Sequence, residues 1–585
     1  MDDVSSASYS ALPVLVPVWE EPPSAPKDKV RILGEELLIP EPLCVLLVNR
    51  GITDPEKAKR FLRPLLSDLH PATLLSDSKK AVGRIIRAIE YEETILVHGD
   101  YDVDGLSGSA LLTHWIRRLG GNVVPFVPHR VRNGYDLGPA GLEQAKISEA
   151  SLIITVDSGI RAYQTVVDAN SFGIDVVITD HHTPGENLPP ALAVVNPNRS
   201  DCLYPNKDLC GTGVAYRICE LLADEQGVDH EELHDFLDLV AIATIADVVP
   251  LNNENRTLVR YGLKALAHTK IIGLQVLMER SGLKGSLLES GQVAFKIAPL
   301  INAAGRMAEP MVALDLLMTA DPVRAEEIVD DLEIYNAERR DEESSILGEA
   351  LDRLAEEYQE EKDFGVVLEG EGWHPGVIGI VASRIVDRIH RPTVLVAMKD
   401  GRGRGSARSI PNFNLYDALN ACREYLDSFG GHRVAAGINI ASDYVDDFKY
   451  AFNTEARDRL KGQHLHPKII TDLEINLSDA TEELAHFLTY FGPFGIGNPT
   501  PVFVARDVEL QGTPREVGKG HLKLGLMQSG SIIEAIGFGL VKRISPESLN
   551  DGNVDLAFKL KISMFRGRRQ VEAHLLDVRP HASIA

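Results

Sequence analysis

The chain has 585 residues, more than one hydrophobic core can organise, and its 44% hydrophobic and 25% charged content is that of an ordinary globular protein. No apolar run is long enough to cross a bilayer, and the start MDDVSSASYS lacks the basic residues and apolar block of a signal peptide; a cytoplasmic protein without membrane contacts is expected. A net charge of −25 weighs against a general nucleic-acid binder, although acidic residues remote from a groove need not oppose binding within it.

Residues 1–30, rich in Ser, Pro and Glu, read as a flexible N-terminal tail, and residues 31–75 as a helical N-terminal segment broken at prolines. From residue 76 to 265 short β-branched runs (TILVH, NVVPFV, SLIITV, IDVVIT) alternate with helical stretches, the pattern of a doubly wound parallel sheet. Residues 266–361 read as a helical connector. Within it Asp321-Pro322 suits an N-cap and first helical position, and Leu347, Leu351, Leu354 and Tyr358 keep helical spacing. A second α/β domain is expected over 362–460, and short, evenly spaced strands over 466–585 predict a small β-barrel. Cys44, Cys202, Cys210, Cys219 and Cys422 include no C-x-x-C pair, so neither a disulfide framework nor a zinc site is expected.

Acidic and histidine motifs follow apolar runs. HGDYDVDG places His98, Asp100, Asp102 and Asp104 after the first strand, VDSG places Asp157 after another, and DHH places Asp180, His181 and His182 after a third. Asp247 follows AIATIA, a run compatible with helix or strand. Ligands of open parallel sheets bind beyond the carboxyl ends of the strands, so distant motifs converge on one edge. Carboxylates suit Mg²⁺ and Mn²⁺, and the imidazoles tilt the choice toward Mn²⁺. Six donors exceed the need of one ion, whereas two ions sharing a carboxylate would promote phosphoryl displacement. Singly, each motif is equally a turn or helix cap; their succession, each after an apolar run, points to a metal-dependent phosphoesterase.

These residues resemble the four motifs of the DHH phosphoesterase superfamily: HGDYDVDG, VDSG, DHH and ADVVP. FKIAPLINAAGRM, GWHPGVIGIVASRI, GSARSI, FGGHRVAAG and PFGIGNPTPVF narrow the resemblance to RecJ-type exonucleases, from about residue 40 to the C-terminus. Ser158 and Asp136 depart from the pattern, which has Asn or Cys at the first position and more commonly Gly at the second. The resemblance implies a DHH domain, a DHHA1 domain and a C-terminal OB-type barrel. It further implies 5′-to-3′ exonuclease activity on single-stranded DNA with two Mn²⁺ or Mg²⁺ ions, in recombination and repair. Single-strand-binding protein and a helicase are its implied partners, and a monomer fits the domain inventory.

By the same resemblance Asp157 bridges the ions, His98 and Asp102 hold one, and Asp104, His181 and Asp247 the other. Asp100 is a ligand or orients one. His182 contacts the scissile phosphate, positions the water, or supports a ligand. Arg306, Arg408, Gly431, His432, Asn302 and Ser409 are the substrate-binding candidates, each arginine equally a surface salt-bridge former on sequence grounds. Lys519, His521, Lys523, Arg566, Arg568 and Arg569, with Phe565 for stacking, suit a single-strand platform in the terminal barrel. A nanoRNase or cyclic-dinucleotide phosphodiesterase is the rival within the superfamily, and the chain length and terminal barrel favour a polymer substrate. A non-catalytic replication scaffold would be expected to have lost ligands that are all present here.

Overall fold

The computed structural model describes residues 12, 14–130, 132–134, 136–286, 288–549, 552–565 and 568–581. The first element, β1 (Val18–Glu20), lies inside the stretch expected to be a flexible tail. It pairs in parallel with Lys468–Ile470, and the Trp19 indole N–H donates to Asp577 at 2.7 Å. Composition averaged over thirty residues hides a three-residue strand anchored by one aromatic. The tail expectation is therefore corrected from Val18 onward; residues 1–11 and 13 lie outside the described residues.

The helices Lys27–Leu37 and Glu41–Asn49 do not form a unit of their own. Leu33, Leu43, Leu46 and Leu47 pack into the core of the C-terminal barrel with Phe491, Phe503 and Phe558. Helices of 11 and 9 residues are too short to bury an apolar stripe alone, so they take the barrel as their second layer.

The first sheet comprises β2 (Thr94–His98), β3 (Asn122–Phe126), β4 (Leu152–Val156), β5 (Asp175–Thr179) and β6 (Ala193–Val195). Its order is β3-β2-β4-β5-β6 and all pairings are parallel. Alternate residues serve two cores. Ile95, Val97, Ile154, Val156 and Val177 face one helical layer, and Leu96, Ile153, Val176 and Ile178 face the other. The order reverses between β2 and β4, and at such a switch point the flanking loops diverge and leave a crevice. Three helices close around it: α1 (Val103–Arg118), α2 (Gly211–Gln226) and α3 (Leu237–Ala246).

Much of the expected connector belongs to this domain, since Ile271 to Leu332 contribute to its core. They include α4 (Ala298–Met307). The long α5 (Pro322–Glu357) is one helix of 36 residues, about 54 Å at 1.5 Å per residue, and the Asp321 side chain accepts from the Val323 N–H. Its first half buries Ala325, Ile328 and Leu332 in the first domain; its second half buries Ile346, Ala350 and Leu354 in the next.

The second sheet contains β7 (Val366–Glu371), β8 (Thr393–Lys399), β9 (Arg402–Arg408), β10 (Ser428–Gly431) and β11 (Ala435–Ala441), in the order β10-β11-β9-β8-β7. Only β7 and β8 are parallel. One face is covered by Phe413, Phe448 and Phe452, and the other, over β7 and β8, by α5 and α6 (Ile378–Ile389). At the C-terminus β12 (Phe503–Val517), β13 (His521–Gln528), β14 (Ser531–Gly537), β15 (Val554–Phe565) and β16 (Arg568–Pro580) close into a five-stranded barrel through the β12–β15 pairing.

Candidate active site

The crevice at the switch point collects the motifs. β2 ends in His98, and the loop beyond it carries Asp100 and Asp102 into α1. Asp102 caps α1, accepting from Asp104 N–H at 3.0 Å and Gly105 N–H at 3.3 Å. Asp104, in the first turn of α1, is buried against the start of α2. Its carboxylate accepts from the backbone of Gly211 at 2.6 Å and Thr212 at 2.7 Å. Only glycine fits at 211, because a Cβ there would lie 2.5 Å from that of Asp157. Asp157 itself holds φ +57°, a strained value for a non-glycine residue of the kind that clusters at functional sites. Asp247, after the run left open as helix or strand, stands at the C-cap of helix α3.

The side chains meet in three overlapping groups whose donor atoms lie within 4.8 Å of one another: Asp100–Asp102–Asp157, Asp104–His181–Asp247 and Asp157–His181–His182. The His181 Nε2 sits 3.0 Å from Asp157, 3.7 Å from Asp247 and 3.8 Å from Asp104. Asp100, expected to be marginal, stands in a donor group, while His98 joins none of the three. His98 is fully buried nonetheless, and neither ring nitrogen has a hydrogen-bond partner among the described residues; one Asp100 oxygen is likewise unpartnered.

The electrostatics are unfavourable without a cation. Burial, then the charges of Asp104, Asp102, Asp247 and Asp100, push Asp157 well above the usual carboxylate range. Burial and neighbouring aspartates do the same to Asp100 and Asp247 and also raise Asp102. Burial alone pulls His98 down to about 4, which keeps it neutral and able to coordinate. Orphaned buried nitrogens, crowded carboxylates and a depressed imidazole are the donor set that Mn²⁺ or Mg²⁺ requires, so the residues fit such ions.

Asp180 has a different task, which the sequence reading left unassigned. It accepts from the backbone of Ile160, His181 and His182 and from His182 Nδ1 at 2.8 Å. Burial opposes a charged imidazole at His182, but the hydrogen bond and charge of Asp180 outweigh it and leave the His182 pKa raised. Asp136 was also missed as a participant. At φ +79° it accepts from Leu137 N–H and from Gly159 N–H, tying its loop to the turn after Asp157.

Of the substrate-binding candidates, Arg306 and Arg408 come together with an unanticipated third, Arg130. Burial, then Arg130, draws the Arg306 pKa down to about 10, and burial and Arg130 lower that of Arg408. Arg306 donates to the Gly376 carbonyl at 2.9 Å, Arg408 to Ser406 Oγ and the Ala407 carbonyl, and Arg130 stacks on Tyr101. None pairs with a carboxylate by direct contact among the described residues, so the surface salt-bridge reading is corrected for Arg306 and Arg408. His432, exposed on the turn between β10 and β11, is lowered first by burial and then by His182 and Arg161, which places it opposite the crevice.

The remaining candidates have local roles. Gly431, at φ +145°, makes the tight turn, where a Cβ would lie 2.5 Å from the Ala435 carbonyl. Asn302 accepts from the Val103 N–H and so supports the start of α1. Ser409 gives its hydroxyl to the Phe413 carbonyl. Its neighbour Ser406, on the same side of β9 as Arg408, is the hydroxyl that faces the cluster; two-residue alternation along a strand is the signal that could have found it.

In the barrel, Lys523 is engaged by Glu572 and Glu534 and Arg569 by Glu482. Arg566 and the side chains of Phe565 and Arg568 lie outside the described residues. The exposed ring is Phe538, flanked by His521 and His574 at 5.3 and 5.4 Å between centroids.

Three domain families match the chain: the DHH family N-terminal domain over residues 94–244, the DHHA1 domain over 362–458 and the RecJ OB domain over 471–577. The chain is 37% identical over 556 residues to the single-stranded-DNA-specific exonuclease RecJ of Dickeya dadantii, covering 91% of this chain and 95% of that protein. It is 35% identical over 560 residues to the Bacillus subtilis protein of the same name, covering 94% and 69%. A crystal structure of RecJ from Thermus thermophilus in complex with Mn²⁺ superimposes with a TM-score of 0.81 at 30% identity, covering 97% of this chain and 80% of that one.

Proposed function

The chain belongs to the RecJ family of exonucleases, and on that premise we propose that it removes nucleotides from the 5′ end of single-stranded DNA by metal-dependent phosphodiester hydrolysis. The observation that carries the reading is the pairing of two charge clusters across one cleft. Buried carboxylates and histidines cap the first sheet, and arginines without carboxylate partners face them: Arg408 from the second domain, Arg306 from α4 and Arg130 from the segment after β3.

Asp100, Asp102 and His98 would hold one ion, Asp104, His181 and Asp247 the other, with Asp157 between them. When bound, Mn²⁺ or Mg²⁺ supplies Lewis-acid charge to the scissile phosphate and lowers the pKa of the attacking water. The chain's own residues position and grip. Gly211 and Thr212 fix the Asp104 carboxylate through two backbone bonds. Asp180 holds His182 by Nδ1, so that the ring would present Nε2 to a phosphate oxygen. Arg130, Arg306 and Arg408 offer paired donors to a DNA phosphate.

Phe538 with His521 and His574 offers a face on which a base further along the strand can stack. Five cysteines, all buried and unpaired, fit a reducing cytoplasm, and no described helix is long and apolar enough to cross a membrane. Roles in recombination and repair, a helicase or single-strand-binding protein as partner, and a monomeric state rest on the family resemblance alone.

A series of 5′-phosphorylated oligonucleotides from two to thirty residues with Mn²⁺ tests the substrate class. kcat/KM rising with length supports a polymer nuclease; a preference for two or three residues would make the nanoRNase reading the better one.

A further inference from the structure

On the α6-side face of the second sheet, α5 and α6 cover β7 and β8 and α6 also lies over the Ser406–Arg408 end of β9, whereas Gly437 and Asn439 of β11 and Ser428 and Gly430 of β10 are exposed. Residues pointing out on β9 are Arg402, Arg404, Ser406 and Arg408, spaced by two and so about 6.6 Å apart along the strand. Arg408 belongs to the cluster already described. Arg404 stands on the same face of β9 two residues from Ser406, to which Arg408 donates, so the row continues from that cluster along the strand. Neither the Arg404 nor the Arg402 side chain makes a hydrogen bond or ion pair with another described residue, although the chain carries 85 acidic side chains.

Beside Arg404 is a shallow hollow of about 230 Å³, lined also by Ser428, Gly430, Gly437 and Asn439. Gly430 and Gly437 have no structural reason to be glycine. Neither has positive φ, nothing lies within 4 Å of a Cβ at 430, and the nearest atom at 437 is 3.8 Å away. Glycine inside a strand weakens it, and where packing does not demand it the remaining reason is close approach of a ligand. Asn439 donates to Ser428 Oγ at 2.9 Å, which leaves its amide oxygen for a partner.

We propose that Arg404, with Arg402 beyond it, binds a second phosphate of the DNA strand adjacent to the one held by Arg130, Arg306 and Arg408, and that the hollow over Gly430 and Gly437 seats the base of that nucleotide. The glycines admit a planar base against bare backbone, and the guanidinium meets its phosphate. The occupant is a nucleotide within the substrate strand; a released mononucleotide has the same chemistry and is separated by the test. This subsite rests on the exonuclease reading.

Full-length Arg404→Gln, Arg404→Lys and Gly437→Val are compared with the parent protein on 5′-phosphorylated single-stranded DNA of twenty residues. Gly437→Val points a side chain into the hollow where the backbone has room for it, so unchanged melting is expected. Arg404→Gln should raise KM on the order of tenfold, with the loss in KM rather than kcat, and reduce the slope of log affinity against log salt by about one. Arg404→Lys should restore the slope. Gly437→Val should weaken binding without changing the slope. Parent affinity and slope in both Arg404→Gln and Gly437→Val would overturn the subsite. Weaker inhibition by free thymidine monophosphate with unchanged DNA affinity would overturn the assignment to the strand. If the parent protein does not degrade single-stranded DNA, the exonuclease reading fails instead, and the binding slopes still report on Arg404.

Discussion

The sheet that ends at Asp157 and the sheet that bears Arg408 present opposite charges to the same cleft. On the first, aspartates are buried together and each raises the proton affinity of the next. By the second, Arg408 joins Arg306 and Arg130; burial, and then the Arg130 charge, makes the charges of Arg306 and Arg408 harder to hold. Either cluster alone is costly, because like charges at short range in a partly desolvated site repel. Divalent cations relieve the first and a phosphate relieves the second, so the cleft is complete only with both. The difference teaches a division of labour among side chains: carboxylates and histidines of the first domain supply chemistry, and arginines drawn from both domains supply grip.

That division can be broken from the chemical side. Asp157→Ala should abolish Mn²⁺-dependent nucleotide release, on the order of a thousandfold or more, with unchanged circular dichroism and DNA affinity within a few-fold. A comparable loss of affinity would mean the two regions are not separable. Asp180→Ala acts one layer out. Activity should fall about 10- to 100-fold, and the His182 titration, followed by NMR, should move to lower pH as the neighbouring negative charge is lost.

A third expectation concerns protons. Asp100, Asp157 and Asp247 have raised pKa values, so the metal-free centre retains protons that the unfolded chain would have released. Metal binding must expel them. Mn²⁺ affinity should therefore fall as pH falls from 7.5 to 5.5, by up to about tenfold per pH unit for each proton displaced, and added Mn²⁺ should raise the melting temperature more at pH 7.5. Calorimetry in buffers of different ionisation enthalpy counts the protons; none released would contradict the crowding argument.

On the gripping side the effects are smaller. Arg306→Gln or Arg408→Gln should raise KM on the order of tenfold and cut the salt slope by about one, leaving Mn²⁺ affinity unchanged. Phe538→Ala should weaken binding of long strands about fivefold and leave the shortest substrates unaffected, as loss of one stacking face predicts. These point changes are preferable to removing the barrel, because Leu33, Leu43 and Leu46 would lose their cover with it.

The chemical half was the more legible in the sequence. An apolar run followed by Asp or His marks a strand end, and a parallel sheet brings strand ends together, so the donor residues could be read motif by motif. The gripping half depends on contacts between elements remote in the chain. Arg130 has no motif around it and gains meaning only from Arg306 and Arg408. Ser406 and Ser409 are told apart by strand alternation along Arg402–Arg408, which the motif GSARSI alone does not reveal. Trp19 and the first helices failed for the same reason, since their partner is a barrel more than four hundred residues away.

Digestion of end-labelled DNA with Mn²⁺ tests the central claim most directly, using single-stranded and duplex substrates labelled at either end, with the parent protein and Asp157→Ala side by side. The account predicts mononucleotides released first from the 5′ end of the single strand, little action on duplex, and no release by the variant. Release from the 3′ end, equal attack on duplex, or parent-like turnover by Asp157→Ala would contradict it.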